Sequence, residues 1–168
     1  QVERKVNDIA LLGTSNSIAN GVPPTEGLLT LTASGTHSVT PATGGSGTIT
    51  LTEGKSADEI LFDLHTLMPT PLTVTKGVHS LNTLLLPLTT RTYLASRRVG
   101  DGTNGSVLDY FAGSSPFINS TGDVIGMWEL ESSSAAGAGS AWTGKRAVAY
   151  RRDPSALELM ISMGFEQM

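Results

Sequence analysis

The sequence predicts an α+β domain built on a mixed sheet, and three observations carry that expectation. Within "KSADEILFDLHTLMP", Ile60, Leu61, Leu64, Leu67 and Met68 fall on one helical stripe. "NTLLLP" is a continuous apolar run, the pattern of a strand covered on both faces. Helix-like and strand-like segments are interleaved, yet "DVIGMWEL" and "RAVAY" are joined by a loop alone, so the sheet is expected to mix parallel and antiparallel pairs.

Taken in order, residues 2–12 carry Val2, Val6, Ile9 and Leu12 at spacings of three or four, which suits the last turns of a helix closing at Gly13. No cap precedes them, so the start of that helix is expected upstream. Residues 18–51 are rich in Thr, Gly and Pro; "LLTLT" and "TITLT" read as short strands of a hairpin or flap, with Gly44, Gly45, Ser46 and Gly47 as turn material. Ser56 is the expected N-cap of the next helix, with Glu59 completing a capping box and Pro69 and Pro71 ending it.

After the strand "NTLLLP", Thr89 or Thr90 is expected to open a short helix bearing Tyr93 and Leu94. The glycine-spaced loop "GDGTNG" leads to Ser106, which caps "VLDYFAG" with Asp109 at the favourable third position. "DVIGMWEL" reads as a strand that puts Trp128 in the core, and "ESSSAAGAGSAWTGK" as a low-complexity loop that exposes Trp142 to partners. "RAVAY" is a strand. From Leu157 onward Leu157, Leu159, Ile161, Met163 and Phe165 alternate with Glu158, Ser162 and Glu166, a half-buried strand that meets no stop signal before Met168. The expectation is therefore of a fragment, with partner strands and the rest of the first helix outside these 168 residues.

Composition narrows the function. The length suits one domain or one and a half. The absence of cysteine excludes disulfides, thiolate metal sites and cysteine nucleophiles together. The net charge is −4 and the densest basic groups are the pairs Arg4-Lys5, Arg97-Arg98 and Arg151-Arg152, so no sequence-specific nucleic-acid groove is expected. No apolar run approaches the roughly 20 residues that span a bilayer, and no membrane partner is expected. Low charge with a mean hydropathy near zero suggests surface covered by neighbours, although a Thr-rich β protein shares that signature.

Catalytic patterns fail on spacing. "EGKS" lacks the glycine a phosphate loop needs, because Ile49 and Thr50 stand where it would fall. His37, His65 and His79 form no paired metal motif, and neither a nucleophile elbow nor a dinucleotide fingerprint is present. Asp58, Glu59 and Asp63 share a helix, where a charged N-terminus favoured by the helix dipole is the simpler account. Asn104-Gly105-Ser106 and Asn119-Ser120-Thr121 match a glycosylation sequon, with nothing that indicates secretion. No cofactor, metal or enzymatic activity is expected.

The ordered series "RKVNDIALLGTSNSIANGV", "GKSADEILFDLHTL", "LNTLLLPLTTRTYLAS", "SVLDYFAG", "DVIGMWEL" and "KRAVAYRRDPSALELMISMGFEQM" resembles the central and later part of tailed-bacteriophage major capsid proteins, whose fold is shared with encapsulin shells. The resemblance covers nearly the whole chain. It implies a phage major-capsid-like fold, a mixed sheet with flanking helices. Residues 1–70 would be part of the peripheral domain, with the end of the spine helix, a β-flap and a second helix; "NGVPP" departs from the family's glycine-rich turn there. Residues 71–168 would be the axial domain and its return strand.

What the resemblance implies for function is assembly: copies of the chain forming pentamers and hexamers in an icosahedral shell around a phage genome, built in the bacterial cytoplasm, with scaffold or decoration proteins as further partners. The axial loops would meet at symmetry axes, which nominates Gly100, Asp101, Gly102, Thr103 and Asn104 in one loop and Ser132, Ser133, Ser134 and Trp142 in another. Some relatives cross-link through a lysine-asparagine isopeptide; Lys55, Lys76 and Lys145 match none of that chemistry. Two alternatives stay open, an encapsulin-like nanocompartment shell and a Thr/Ser/Gly-rich adhesin-like module, the latter requiring an all-β chain.

Overall fold

The computed structural model describes residues 13–14, 25–26, 56–100, 102, 104–132 and 145–153. The expected helix end over residues 2–12, the strands "LLTLT" and "TITLT" and the alternating run from Leu157 lie outside them. Gly13–Thr14 (β1) pairs antiparallel with Thr25–Glu26 (β2), Gly13 opposite Glu26 and Thr14 opposite Thr25.

Ala57–Leu67 (α1) starts as its sequence dictates. Ser56 Oγ accepts the Glu59 N–H at 3.2 Å and the Glu59 carboxylate accepts the Ser56 N–H at 2.7 Å, so two amides that a helix end leaves unpaired are satisfied reciprocally. The prolines do more than end this helix. A second one, Thr70–Val74 (α2), begins at once, because Pro71 in a first turn gives up no helical hydrogen bond. It closes in a left-handed turn: the Gly77 N–H donates to Leu72 O at 2.7 Å and the Lys76 N–H to Thr73 O at 3.3 Å, with φ of +54° at Lys76 and +91° at Gly77.

Thr83–Pro87 (β3) is the centre of a three-stranded sheet and is buried along its whole length. Val124–Met127 (β4) lies parallel to it, with Leu84 opposite Val124 and Pro87 opposite Met127. Val148–Tyr150 (β5) lies antiparallel on the other edge, with Leu84 opposite Ala149. The sheet is therefore mixed and the domain α+β, as the sequence predicts. The parallel pair is connected through two helices, Leu88–Ser96 (α3) and Val107–Ser114 (α4).

One apolar cluster joins these layers. Ile60, Leu61, Leu64 and Met68 from the α1 stripe meet Leu84 and Leu86 of β3, Leu94 of α3, Phe111 of α4 and Val124 of β4. Phe111 is fully enclosed, so its truncation to Ala would cost about 3–5 kcal/mol. Gly126 sets how closely α3 approaches the sheet: a Cβ there would stand 3.0 Å from Arg91 Cδ and 3.1 Å from Leu88 Cδ1. With that space open, Arg91 Nε reaches Val124 O at 2.7 Å.

Two boundaries differ from the sequence reading. α3 opens at Leu88, ahead of Thr89 and Thr90. The strand expected through "DVIGMWEL" stops at Met127, and Trp128–Leu130 is a 3-10 turn. A change of period from two to three rotates every later side chain, so Glu129 and Leu130 are buried while Trp128 is 55% exposed. Trp128 is a surface residue, and its assignment to the core is corrected.

Candidate subunit-contact site

Both nominated loops emerge from closed necks. At the first, α3 ends at Ser96, and the Val107 N–H donates to Arg97 O at 2.8 Å while the Val99 N–H donates to Gly105 O at 3.3 Å. Arg98 and Ser106 face each other as a single antiparallel bridge. Gly100, Gly102, Asn104 and Gly105 are exposed beyond it; Asp101 and Thr103 lie outside the described residues. Ser106 then caps α4, its Oγ accepting the Asp109 N–H at 3.0 Å and donating to Asp109 Oδ2 at 2.7 Å. Arg97 is held beside this neck, its guanidinium 5.5 Å from the Tyr93 ring centroid and donating to the Tyr93 hydroxyl.

The second neck is polar. The Arg146 N–H donates to Leu130 O at 3.2 Å, and next to it the Glu131 carboxylate collects three donors. The Thr89 N–H reaches Oε1 at 2.7 Å, the Thr89 hydroxyl reaches Oε2 at 2.9 Å, and Lys145 Nζ stands 3.2 Å from Oε2. Lys145 also donates to the Thr89 hydroxyl. Burial pushes the Glu131 carboxyl up, but the Thr89 hydrogen bonds, with the hydrogen bond and charge of Lys145, outweigh it and hold the group below its ordinary value. Ser132 is half-buried at this neck; Ser133, Ser134 and Trp142 lie outside the described residues.

These necks sit at opposite ends of α3, the second at its first turn and the first just past its last residue. Nine helical residues separate them by about 13 Å. At the first-turn end two large apolar side chains stand in solvent: Leu88, 46% exposed, follows Pro87, and Trp128 follows Met127, the paired last residues of β3 and β4. They leave the same end of the sheet. Sequence reasoning misses this pair because neither residue belongs to an exposed stripe.

Other candidate chemistry stays dispersed. A cleft of about 360 Å³ lies between Ser56 and Ala57 at the start of α1 and the Arg97, Arg98, Val99, Gly100 and Gly102 side of the first neck. The Glu59 carboxylate already occupies the start of α1, where an anion would otherwise dock. Ser114 Oγ stands 3.2 Å from His65 Nε2, a hydroxyl-imidazole pair that spacing could not suggest, and the His65 ring meets Phe111 edge-on. Ser114 is exposed and the pair lines no part of the cleft. Asp58 is exposed, Glu59 is engaged in the cap and Asp63 is buried, so the three carboxylates of α1 do not converge. Among the described residues no group of three His, Asp or Glu side chains could hold a metal, and no helix is long and apolar enough to cross a membrane.

Among the described residues, then, two hydrogen-bonded necks and an exposed Trp128 stand out, and no catalytic group converges. The model of one protein family, major capsid protein, matches residues 1–168, the entire chain. The chain belongs to the major capsid protein family. Among curated proteins none matches it. The α+β architecture with its small mixed sheet fits a phage capsid-like fold, and membership gives the chain a structural role in the virion capsid. It also implies self-association into a shell, and it points away from catalysis. The helices α1 to α4 are incompatible with the all-β adhesin alternative.

Proposed function

We propose that this chain is the major capsid subunit of a tailed bacteriophage, assembling in the host cytoplasm into an icosahedral shell around the phage genome. The match of the major capsid protein family to the whole chain carries this reading. In it, residues 1–70 belong to the peripheral domain and residues 71–168 to the axial domain and its return strand. A closed shell requires many contacts that are individually weak enough to correct errors and jointly strong enough to persist. Pentamers and hexamers are rings of heterologous contacts, which a subunit offers through different patches on its two sides.

The loop of Gly100, Asp101, Gly102, Thr103 and Asn104 and the loop of Ser132, Ser133, Ser134 and Trp142 are the contacts we assign to the axes. Their necks, closed at opposite ends of α3, support that assignment, because a loop with a fixed base and small polar residues can adapt to two rotational environments without disturbing the fold beneath it. Scaffold or decoration proteins would be further partners. Negative-stain microscopy of the full-length product tests the reading. Closed particles tens of nanometres across that package nucleic acid are expected; a dispersed monomer at high concentration overturns it, and shells filled with protein cargo would reassign the chain to a nanocompartment.

A further inference from the structure

We propose that Glu131 is a latch that holds Lys145 and Arg146 against the first turn of α3, and that opening the latch changes how the chain meets a neighbouring copy. The second half rests on the shell reading; the first stands on geometry alone. α3 follows Pro87, which offers no side-chain acceptor, so its start has no local cap. The acceptor comes from 42 residues away: Glu131 takes the Thr89 N–H at 2.7 Å and the Thr89 hydroxyl at 2.9 Å. Lys145 then closes on the same carboxylate at 3.2 Å, and the Arg146 N–H closes on Leu130 O at 3.2 Å.

Residues 131 and 145 are thereby held at one point of α3. The carboxylate is required as a charge. One amide oxygen cannot accept from an N–H, a hydroxyl and an ammonium together, and the amide NH2 of a glutamine would face donors. The nearby charged side chains do not substitute for it: Glu129 is buried in the preceding turn and Arg91 gives its Nε to Val124 O.

The test compares the full chain with E131Q by hydrogen exchange at neutral pH, following residues 86–92 and 145–150 with α1 as the internal reference, and compares their particles by microscopy. The Thr89 and Arg146 amides should exchange about tenfold faster or more in E131Q, as expected for loss of charge-assisted hydrogen bonds. α1 should be unchanged, and closed shells should become fewer or misshapen. If α1 accelerates too, K145M decides instead, because it keeps the carboxylate and the Thr89 bonds and should give a smaller local increase. Equal exchange in the variants and the parent overturns the latch. Faster local exchange with normal shells overturns the link to neighbour contact. A parent that forms no particles removes that link together with the shell reading, while the exchange comparison still decides the latch.

Discussion

Asn82 and Arg152, seventy residues apart, are joined as two rungs of a ladder would join them: the Arg152 N–H donates to Asn82 Oδ1 at 2.6 Å and Asn82 Nδ2 donates to Arg152 O at 3.2 Å. The side chain of Asn82 imitates a peptide group and carries the β3–β5 pairing past its last backbone bond, from the Asn82 N–H to Tyr150 O at 3.3 Å. Asn82→Ala removes both rungs and should lower the stability of the unassembled subunit by about 1–2 kcal/mol. Asn82→Asp keeps the acceptor for Arg152 N–H and turns an oxygen toward Arg152 O, so it should recover only part of the loss. Urea unfolding midpoints at unchanged slope check the order parent, Asp, Ala.

Acid should loosen the first turn of α3. The Glu131 carboxyl is held below its ordinary value of 4.5, so in the window between the two values the unfolded chain binds the extra proton and stability rises with pH. Its contribution is complete above the ordinary value and is lost as pH falls through the depressed one. E131Q should remove this part of the pH dependence, bringing the two stability curves together in acid and leaving the parent the more stable at neutral pH. Denaturant titrations of both subunits across pH 3–7 check it; parallel curves would detach Glu131 from acid sensitivity.

The two serine caps give a graded comparison. Ser56→Ala and Ser106→Ala each remove a side-chain acceptor for the amide three residues on, at 3.2 and 3.0 Å, and each should cost about 1 kcal/mol. Threonine at either position should restore most of the loss, because the hydroxyl remains. Thermal melts of the five chains, parent and rescues included, test whether the caps act through that oxygen.

What the sequence discloses depends on how far apart the partners lie. Ser56 with Glu59 and Ser106 with Asp109 interact across three residues, and the apolar run of β3 speaks for itself, so caps, helices and the central strand are readable directly. Glu131 with Thr89, Asn82 with Arg152 and His65 with Ser114 are brought together only by the topology, across 42, 70 and 49 residues, and no local pattern marks them. The misplacement of Trp128 has a different cause: the strand period ends at Met127, and nothing in "MWEL" announces the turn. The two loops are nominated by their glycine and serine content; the first neck is closed by backbone bonds that any sequence can make, and the second by the distant Glu131 contacts as well.

Trp128 and Leu88 separate folding from assembly. Both are exposed, at 55% and 46%, at the same end of the β3–β4 pair, so the isolated subunit gains little from burying them. Trp128→Ser should therefore leave subunit stability within about 0.5 kcal/mol. In a shell the same residue, if covered by a neighbour, acts as an aromatic anchor whose truncation costs about 2 kcal/mol per contact or more, roughly a thirtyfold loss. Leu88→Ser should behave alike with a smaller effect. Val78, 68% exposed on the turn after α2, is the matched control for lost surface hydrophobicity. Light scattering should show assembly of Trp128→Ser beginning only at a higher subunit concentration while Val78→Ser follows the parent; coincident curves for the two variants would remove Trp128 from the contact surface.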